Sequence, residues 1–395
     1  MILKWDPPFP DQLGAGSGGE AMPQERPFKH LILGIDGTWQ AAYSDIFYSN
    51  VFRLNVALNY RDNSPNQNFQ VFIYSSGLGT TNKSSRLAAG VLGDGLDESI
   101  LQAYINLVSN YTPGDKIYIV GFSRGAVAAR ALSGFISFSG LLKADYSALI
   151  EHAWRYFTDK PALIDYPSQR KDATHEQVDI EFLGVWDTVS GPYKQQELMQ
   201  RYRFTSLKLD PGVKYGVHIL SIDETRDSFE PLLWSGTSRK DQVLEQIWMP
   251  GVHCDVGGGY NYAFLSTISL LLMIDKLAQY HPLLGFDESY ITSVLLPIIE
   301  KEKIVVNDEW AGYKARMFKW FTTAVRYADS DSENRIVQHP LTGLMSGKQV
   351  DFKSSEMPYA PSFRFRKPQT LQQAAFENDS WYQRELAKRL LTRFS

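Results

Sequence analysis

With one cysteine, Cys254, in 395 residues, the chain can form no internal disulfide, and its fold does not depend on an oxidising compartment. Excess charge is also missing. Lys and Arg number 40 against 44 Asp and Glu, a formal net charge of -4, and no basic cluster interrupts the balance, which excludes the usual electrostatic footprint of a nucleic-acid partner. Long apolar runs are absent as well. The longest, Ala263 to Ala278, is broken by Ser266, Thr267, Ser269, Asp275 and Lys276 and falls short of the ~20 residues that a bilayer requires, so it reads as a buried helix. There is no internal repeat and no low-complexity tract.

The first 27 residues are rich in Pro, Gly and polar side chains and carry no apolar stretch after a basic start. They are expected to form a flexible lead-in rather than a signal peptide, which implies cytoplasmic synthesis with any export by a signal-independent route.

From Phe28 onward, strand-like and helix-like segments alternate, the pattern of an α/β fold with a mainly parallel sheet. "KHLILGID" and "FQVFIYSSG" read as strands, separated by a short amphipathic helix in "SNVFRLNVALNY" with Val51, Leu54, Val56 and Leu58 as its apolar positions. "GLDESILQAYINLVSNY" reads as a helix with Leu96, Ile100, Leu101, Tyr104, Ile105 and Val108 on one face. Asp97 and Glu98 in its first turn suit the positive end of its dipole. "PGDKIYIVGF" is a third strand with a small-residue helix behind it, "VDIEFLGVWDTV" a fourth, and "VLEQIWMPGVHCDVGGGY" holds a fifth. In an open α/β sheet, sites form at the carboxyl ends of the strands, and the chemically interesting residues all fall there.

Gly121-Phe122-Ser123-Arg124-Gly125 is a G-x-S-x-G sequence with a strand before it and a helix after it. A Cβ at either flank would collide with a neighbouring element, and the following helix aims its N-terminus at the serine, where it can stabilise an oxyanion. A turn serine is the plain alternative, but the strand, turn and helix around Ser123 favour a nucleophile. A serine hydroxyl needs a base, and His253, in "PGVHCDVGGGY", alone among the seven histidines lies at a strand end followed by glycines. His218 is next, though its apolar neighbours read as a core helix or strand.

Asp187, ending an apolar strand, is the expected acceptor for His253, and Asp255 in the same loop as His253 is its rival. The order Ser, Asp, His is that of α/β-hydrolases. The second oxyanion donor should come from Asp36-Gly37-Thr38-Trp39, where Gly37 and Thr38 can present N–H groups beside that of Arg124. The same "IDGT" brings to mind the D-x-D-G-T of aspartyl-phosphate phosphatases, but Gly34 stands where that mechanism needs its nucleophilic Asp.

"LGIDGTW", "SNVFRL", "YSSGLGT", "GDKIYIVGFSRGAVAARALSGFI", "FLGVWDTV", "DETRDSFEPLLW" and "MPGVHCDVGGGY" resemble, in order and spacing, the DUF2235 family of α/β-hydrolases, which includes the type VI secretion phospholipase effectors of the Tle1 kind. The resemblance runs from about His30 to Leu272. It implies a serine esterase or phospholipase with Ser123 as nucleophile and His253 as base, and a role for the "DGTW" loop that includes Asp36. One departure is visible: family members often carry L-S-D after the glycine loop, and here Leu265-Ser266 is followed by Thr267.

The expectation is therefore an α/β-hydrolase domain over 28–280 between the lead-in, 1–27, and an accessory helical region, 281–395. Its reaction is ester hydrolysis through an acyl-enzyme: Ser123 attacks, His253 relays the proton and Asp187 orients His253, with no metal or other cofactor required. The substrate implied by the resemblance is a lipid or other small ester, met by contact with a membrane surface, and a type VI effector would add a secretion adaptor or an immunity protein as partner. Two other readings stay open. One is a metal-dependent hydrolase binding a divalent ion through Asp36, Asp187, His253 and Asp255; the other is a catalytically silent interaction module on the same fold.

Overall fold

The computed structural model describes residues 28–37, 48–60, 69–77, 95–158, 165–191, 195–203, 207–307, 326–328, 335–352, 355–361, 364–365 and 381–395. The expected lead-in over 1–27 and the candidate donor Thr38 lie outside the described residues. Each apolar run that the sequence stops with small or turn-forming residues becomes a strand of one seven-stranded sheet. In chain order these are β1 (Lys29–Ile35), β2 (Phe69–Ser75), β3 (Lys116–Phe122), β4 (Ile180–Trp186), β5 (Val213–Ser221), β6 (Val243–Met249) and β7 (Arg335–Gln338). They lie in the order β7-β6-β5-β4-β3-β1-β2, and every neighbouring pair is parallel.

The helices that cover the sheet and carry the site are α1 (Asn50–Ala57), α2 (Leu96–Asn110), α3 (Arg124–Ser139), α4 (His253–Gly257), α5 (Phe264–Tyr280), α6 (Leu296–Lys301) and α7 (Trp381–Phe394). Strand side chains alternate between two cores because successive Cβ atoms point to opposite faces. Leu31, Leu33, Ile117, Ile119, Leu183 and Val185 pack with α2 and α3. Ile32, Tyr118, Val120, Phe122, Phe182 and Trp186 pack with α1, α5, α6 and α7. Parallel strands covered on both faces need near-continuous apolar sequence, which is what these runs supply.

Two strands exceed the five expected. β5, "VKYGVHILS", is buried or half-buried throughout and shows no alternation to separate it from a core helix. β7 has four residues, too few to carry a pattern. The expected boundary at 280 coincides with the end of α5, but the chain beyond it adds β7 to the sheet edge, and Leu386 and Leu390 of α7 enter a core. The buried face of α2 is Leu96, Ile100, Ala103, Tyr104, Leu107 and Val108, so Ala103 and Leu107 take the places expected of Leu101 and Ile105. In α1, Val56 faces outward while the polar Asn50 and Arg53 are buried. The run from Ala263 does form a buried helix, α5, and no described helix is long and apolar enough to cross a membrane.

Register places the site. Ile35 pairs with Gly121 and Phe122 with Trp186, so the ends of β1, β3 and β4 are level, and Ser123 N–H donates to Trp186 O at 3.0 Å. Chain direction reverses into α3 at Gly121 and Gly125. A Cβ on Gly125 would stand 2.3 Å from the carbonyl oxygens of both Ile35 and Asp36, and one on Gly121 would stand 2.6 Å from the carbonyl oxygen of Gly125. Contacts that short with backbone cannot be relieved by rotating a side chain. Gly125→Ala is therefore expected to cost about 1–3 kcal/mol, the range of overpacked sites, although Ala is the better helix former. A chemical-denaturation midpoint equal to wild type would show that the turn has room for the methyl group.

Candidate active site

Ser123 sits between β3 and α3 with φ 59° and ψ -125°, a backbone conformation that L-residues avoid and that costs of order 1–3 kcal/mol. The sharp turn sets the serine at the carboxyl end of the sheet, and Arg124 N–H belongs to the first turn of α3, whose donors point out of the helix toward the serine. Asp187 follows β4 directly, is fully buried, and has its own positive φ of 39°. His253 begins α4 beyond the end of β6 and is likewise buried.

These residues come together. His253 Nδ1 bonds Asp187 Oδ2 at 2.6 Å. An ionised carboxylate only accepts, so Nδ1 carries the hydrogen and Nε2 is left as the basic nitrogen. Two rings fix the imidazole: Phe122 lies 4.7 Å from it and Phe229 meets it edge-on at 4.9 Å, both measured between centroids. Its backbone N–H donates to Glu224 Oε2 at 3.3 Å, and Glu224 in turn is paired with Arg226. Among the described residues no hydrogen bond joins Ser123 Oγ to His253. Such bonds are commonly long before substrate arrives and tighten in the complex.

The Asp187 carboxylate is saturated. Ser221 N–H donates to Oδ1 at 3.0 Å, Ser221 Oγ to Oδ2 at 3.1 Å, and Arg326 clasps both oxygens at 2.5 and 2.9 Å. Burial by itself pushes this carboxyl up, but the Arg326 charge and the His253 bond overturn that and hold it well below the usual carboxylate range. Neither Ser221 nor Arg326 was legible as a site residue. Ser221 ends the strand that the sequence left undecided, and Arg326 lies far along a stretch without periodicity.

Asp255 serves another purpose. It accepts from Val252 N–H at 3.0 Å, and from Asn307 N–H at 3.0 Å and Asn307 Nδ2 at 2.6 Å, so it ties the His253 loop to the chain after α6. Asp36 holds a third set of partners: Ser49 Oγ at 2.6 Å, Tyr74 OH at 2.7 Å and Gly37 N–H at 2.7 Å. Two consequences follow for the expected roles. The Gly37 N–H is engaged by Asp36 Oδ1 and is not presented to an oxyanion. Asp36, Asp187, His253 and Asp255 are not gathered as one donor set, and among the described residues no group of three or more His, Cys, Asp or Glu could hold a metal.

His218, the other candidate base, lies inside β5, where its Nε2 accepts from Thr188 N–H at 3.0 Å. Burial pushes its pKa down to about 3, so it is a neutral core residue. Thr267, standing where the resemblance leads one to expect Asp, accepts from Arg53 Nη2 at 2.6 Å, while Arg53 Nη1 reaches Asn50 Oδ1 and Ser266 Oγ. Asn50 Nδ2 also bonds the carbonyls of Val256 and Ser266, at 2.9 and 2.8 Å. The Asn50 amide thus holds α1 against α4, and it and two hydroxyls hold it against α5.

Asp255 has a pH signature of its own. Burial, with the Asp223 charge adding to it against the bonds from Asn307 and Val252, pushes its carboxyl from 3.8 up to about 7. A carboxyl raised in the folded state binds its proton more tightly there than in the unfolded chain. Its contribution to stability is fully present below 3.8 and is lost as the pH rises through about 7. Asp255→Asn, which cannot ionise, is expected to gain on wild type in melting temperature between about pH 5 and about pH 8. Parallel melting curves of the two proteins across that range would disprove the assignment.

The sequence and structure can now be set beside known proteins. The family described as "T6SS, Phospholipase effector Tle1-like, catalytic domain" matches residues 29–276. An uncharacterized protein of Saccharomyces cerevisiae is 27% identical over 232 residues, covering 52% of this chain and 33% of that protein. The crystal structure of an uncharacterized protein from Pseudomonas aeruginosa aligns at 19% identity with a TM-score of 0.39, over 66% of this chain and 47% of that one. A Tle1 effector, solved bound to the VgrG spike of the type 6 secretion system, aligns at 22% identity with a TM-score of 0.33, over 59% of this chain and 52% of its own. This chain thus spans about a third of the yeast relative and about half of each solved chain. The family match covers more than half of its length and includes Ser123, Asp187 and His253, and the chain belongs to the Tle1-like phospholipase effector catalytic-domain family.

Proposed function

We propose that the protein is a serine hydrolase that cleaves acyl esters of lipids, phospholipids among them, through a covalent acyl-enzyme. The observation that carries the reading is the joint geometry at the ends of β3 and β4: a serine on a strained, glycine-crowded turn, level in register with an aspartate that binds His253 at 2.6 Å. The lipid part of the proposal is taken from the family. The family also brings a type VI secretion context, from which we take a delivery partner as part of the proposal.

The proposed chemistry follows the order of other serine hydrolases. Ser123 Oγ attacks the ester carbonyl while His253 Nε2 takes its proton, and the imidazolium so formed is stabilised by Asp187. Arg124 N–H, at the positive end of α3, meets the oxygen that becomes negative. Gly37 N–H is committed to Asp36 and is not taken as the partner donor. His253 then returns the proton to the departing alcohol, the acyl group stays on Ser123, and water activated by His253 Nε2 releases it. The Phe122 and Phe229 rings against the imidazole hold its plane while Asp187 holds Nδ1.

A fluorophosphonate probe is expected to label Ser123, and Ser123→Ala to lose both labelling and ester hydrolysis. Retention of near wild-type hydrolysis by Ser123→Ala would sink the mechanism. Asp187→Asn should lower turnover by roughly 10⁴-fold, as in other triads that lose the acceptor of the histidine, whereas Asp255→Asn should change it little. The reverse ranking would move the acid to Asp255. Hydrolysis of a soluble ester and of phospholipid vesicles should survive a strong chelator, and a peptide amide should be a poor substrate. Loss of all activity on chelation would favour metal chemistry. Chelator-resistant cleavage of the soluble ester with no cleavage of the vesicles would keep the serine mechanism and reject the phospholipid.

A further inference from the structure

Arg326, like Ser221, is a residue at the site that nothing in the sequence pointed to. Its side chain is 3% exposed and its guanidinium reaches three segments at once. Nη1 donates to Asp187 Oδ1 at 2.5 Å, to Ser221 O at 2.9 Å and to Ser221 Oγ at 2.8 Å. Nη2 donates to Asp187 Oδ2 at 2.9 Å and to Phe229 O at 2.6 Å. The first of these partners follows β4, the second ends β5, and the third belongs to the loop whose ring lies against His253. A planar fork matched to both oxygens of one carboxylate is what a guanidinium supplies and an ammonium cannot.

We infer that Arg326 is a positioning residue of the reaction, locking Asp187 in the rotamer that serves His253, so that the working site extends into chain beyond the family's catalytic-domain match. The inference rests on the serine-hydrolase reading above. A buried ion pair is a weak source of stability, because removing both ions from water costs about what their attraction returns. The position of this pair is more telling: Asp187 Oδ2 is shared between Arg326 and His253 Nδ1. The carboxylate keeps its orientation and its ionised state, and the negative field it presents to the imidazole is diluted by the guanidinium.

The other ionisable groups around this pair are His218 on β5, Arg130 on α3 behind it, Glu224 with Arg226 on the loop after β5, and Asp223 and Asp255 at the His253 loop. Glu224 also feels the Arg326 charge. Without Arg326, the imidazole would face the carboxylates of Asp187 and Glu224 with one cation fewer.

The experiment is the rate of fluorophosphonate labelling at Ser123 against pH, for wild type, Arg326→Met and Arg326→Lys, each with its melting temperature. Arg326→Met should slow the plateau by roughly 10- to 100-fold, the scale of a misplaced catalytic group, and should move the acidic limb up by about one pH unit. Arg326→Lys keeps the charge without the fork, so its limb should stay near that of wild type while its plateau remains lowered. A purely structural role would lower the plateau or the melting temperature and leave the limb of Arg326→Met unmoved, and that result overturns the inference, as does a plateau equal to wild type in either variant. If Arg326→Met does not fold, Arg326→Lys decides: a lowered plateau with an unchanged melting temperature supports the inference, and an unlowered plateau, or a lowered one with a lowered melting temperature, overturns it. Failure of the wild-type protein to label would instead bring down the serine-hydrolase reading itself.

Discussion

A fully buried carboxylate, that of Asp187, is the group around which this molecule is arranged. Leaving such a charge unpaired inside a protein would cost several kcal/mol, so its surroundings have to supply donors from every side. They come from His253 beyond β6, from Ser221 at the end of β5 and from Arg326 further along the chain. Each of those segments is thereby drawn to one point at the carboxyl edge of the sheet. The positive φ of Asp187 belongs to the same constraint: the chain turns off β4 abruptly enough to aim the side chain back over the strand ends.

The candidate nucleophile is held by a different kind of force. Ser123 has little side-chain bonding to keep it in place, and its strained backbone is sustained by packing and by the bond from its N–H to Trp186 O. The absence of a Cβ at Gly121 and Gly125 allows β3, α3 and the end of β1 to approach within van der Waals distance. Because Trp186 precedes Asp187, the turn that presents the serine and the strand that presents the acid are bonded to each other. Strain in one is thus borne by the rigidity of the other, which is how unfavourable backbone conformations persist at sites of chemistry.

The chain beyond the family match is part of this arrangement. β7 closes the sheet beside β6, α7 fills a core against α5 and α6, Asn307 bonds Asp255 and Arg326 bonds Asp187. Asn307 ties down the loop carrying His253 through Asp255, and Arg326 binds the carboxylate that meets His253. Residues that the sequence assigned to an accessory region therefore bond two carboxylates at the site.

Much of the fold was legible because parallel strands buried on both faces must be written as continuous apolar runs, and five of the seven sheet strands were. The helix faces could be read to within a turn. Ser123, Asp187 and His253 were also legible as candidates, since a turn after a strand needs small residues and the triad chemistry needs those residue types at strand ends. What the sequence by itself determined was thus the α/β architecture and the short list of candidate groups. Only the tertiary structure decided that Asp187 rather than Asp255 faces His253, that the Gly37 N–H is spent on Asp36, and that a hydroxyl at Thr267 meets Arg53. It alone brought Arg326 to the site. Those choices depend on which carboxylate the register of β3, β4 and β5 carries to the imidazole, and a hydrogen bond between residues far apart in the chain leaves no periodicity or local composition by which it could be read.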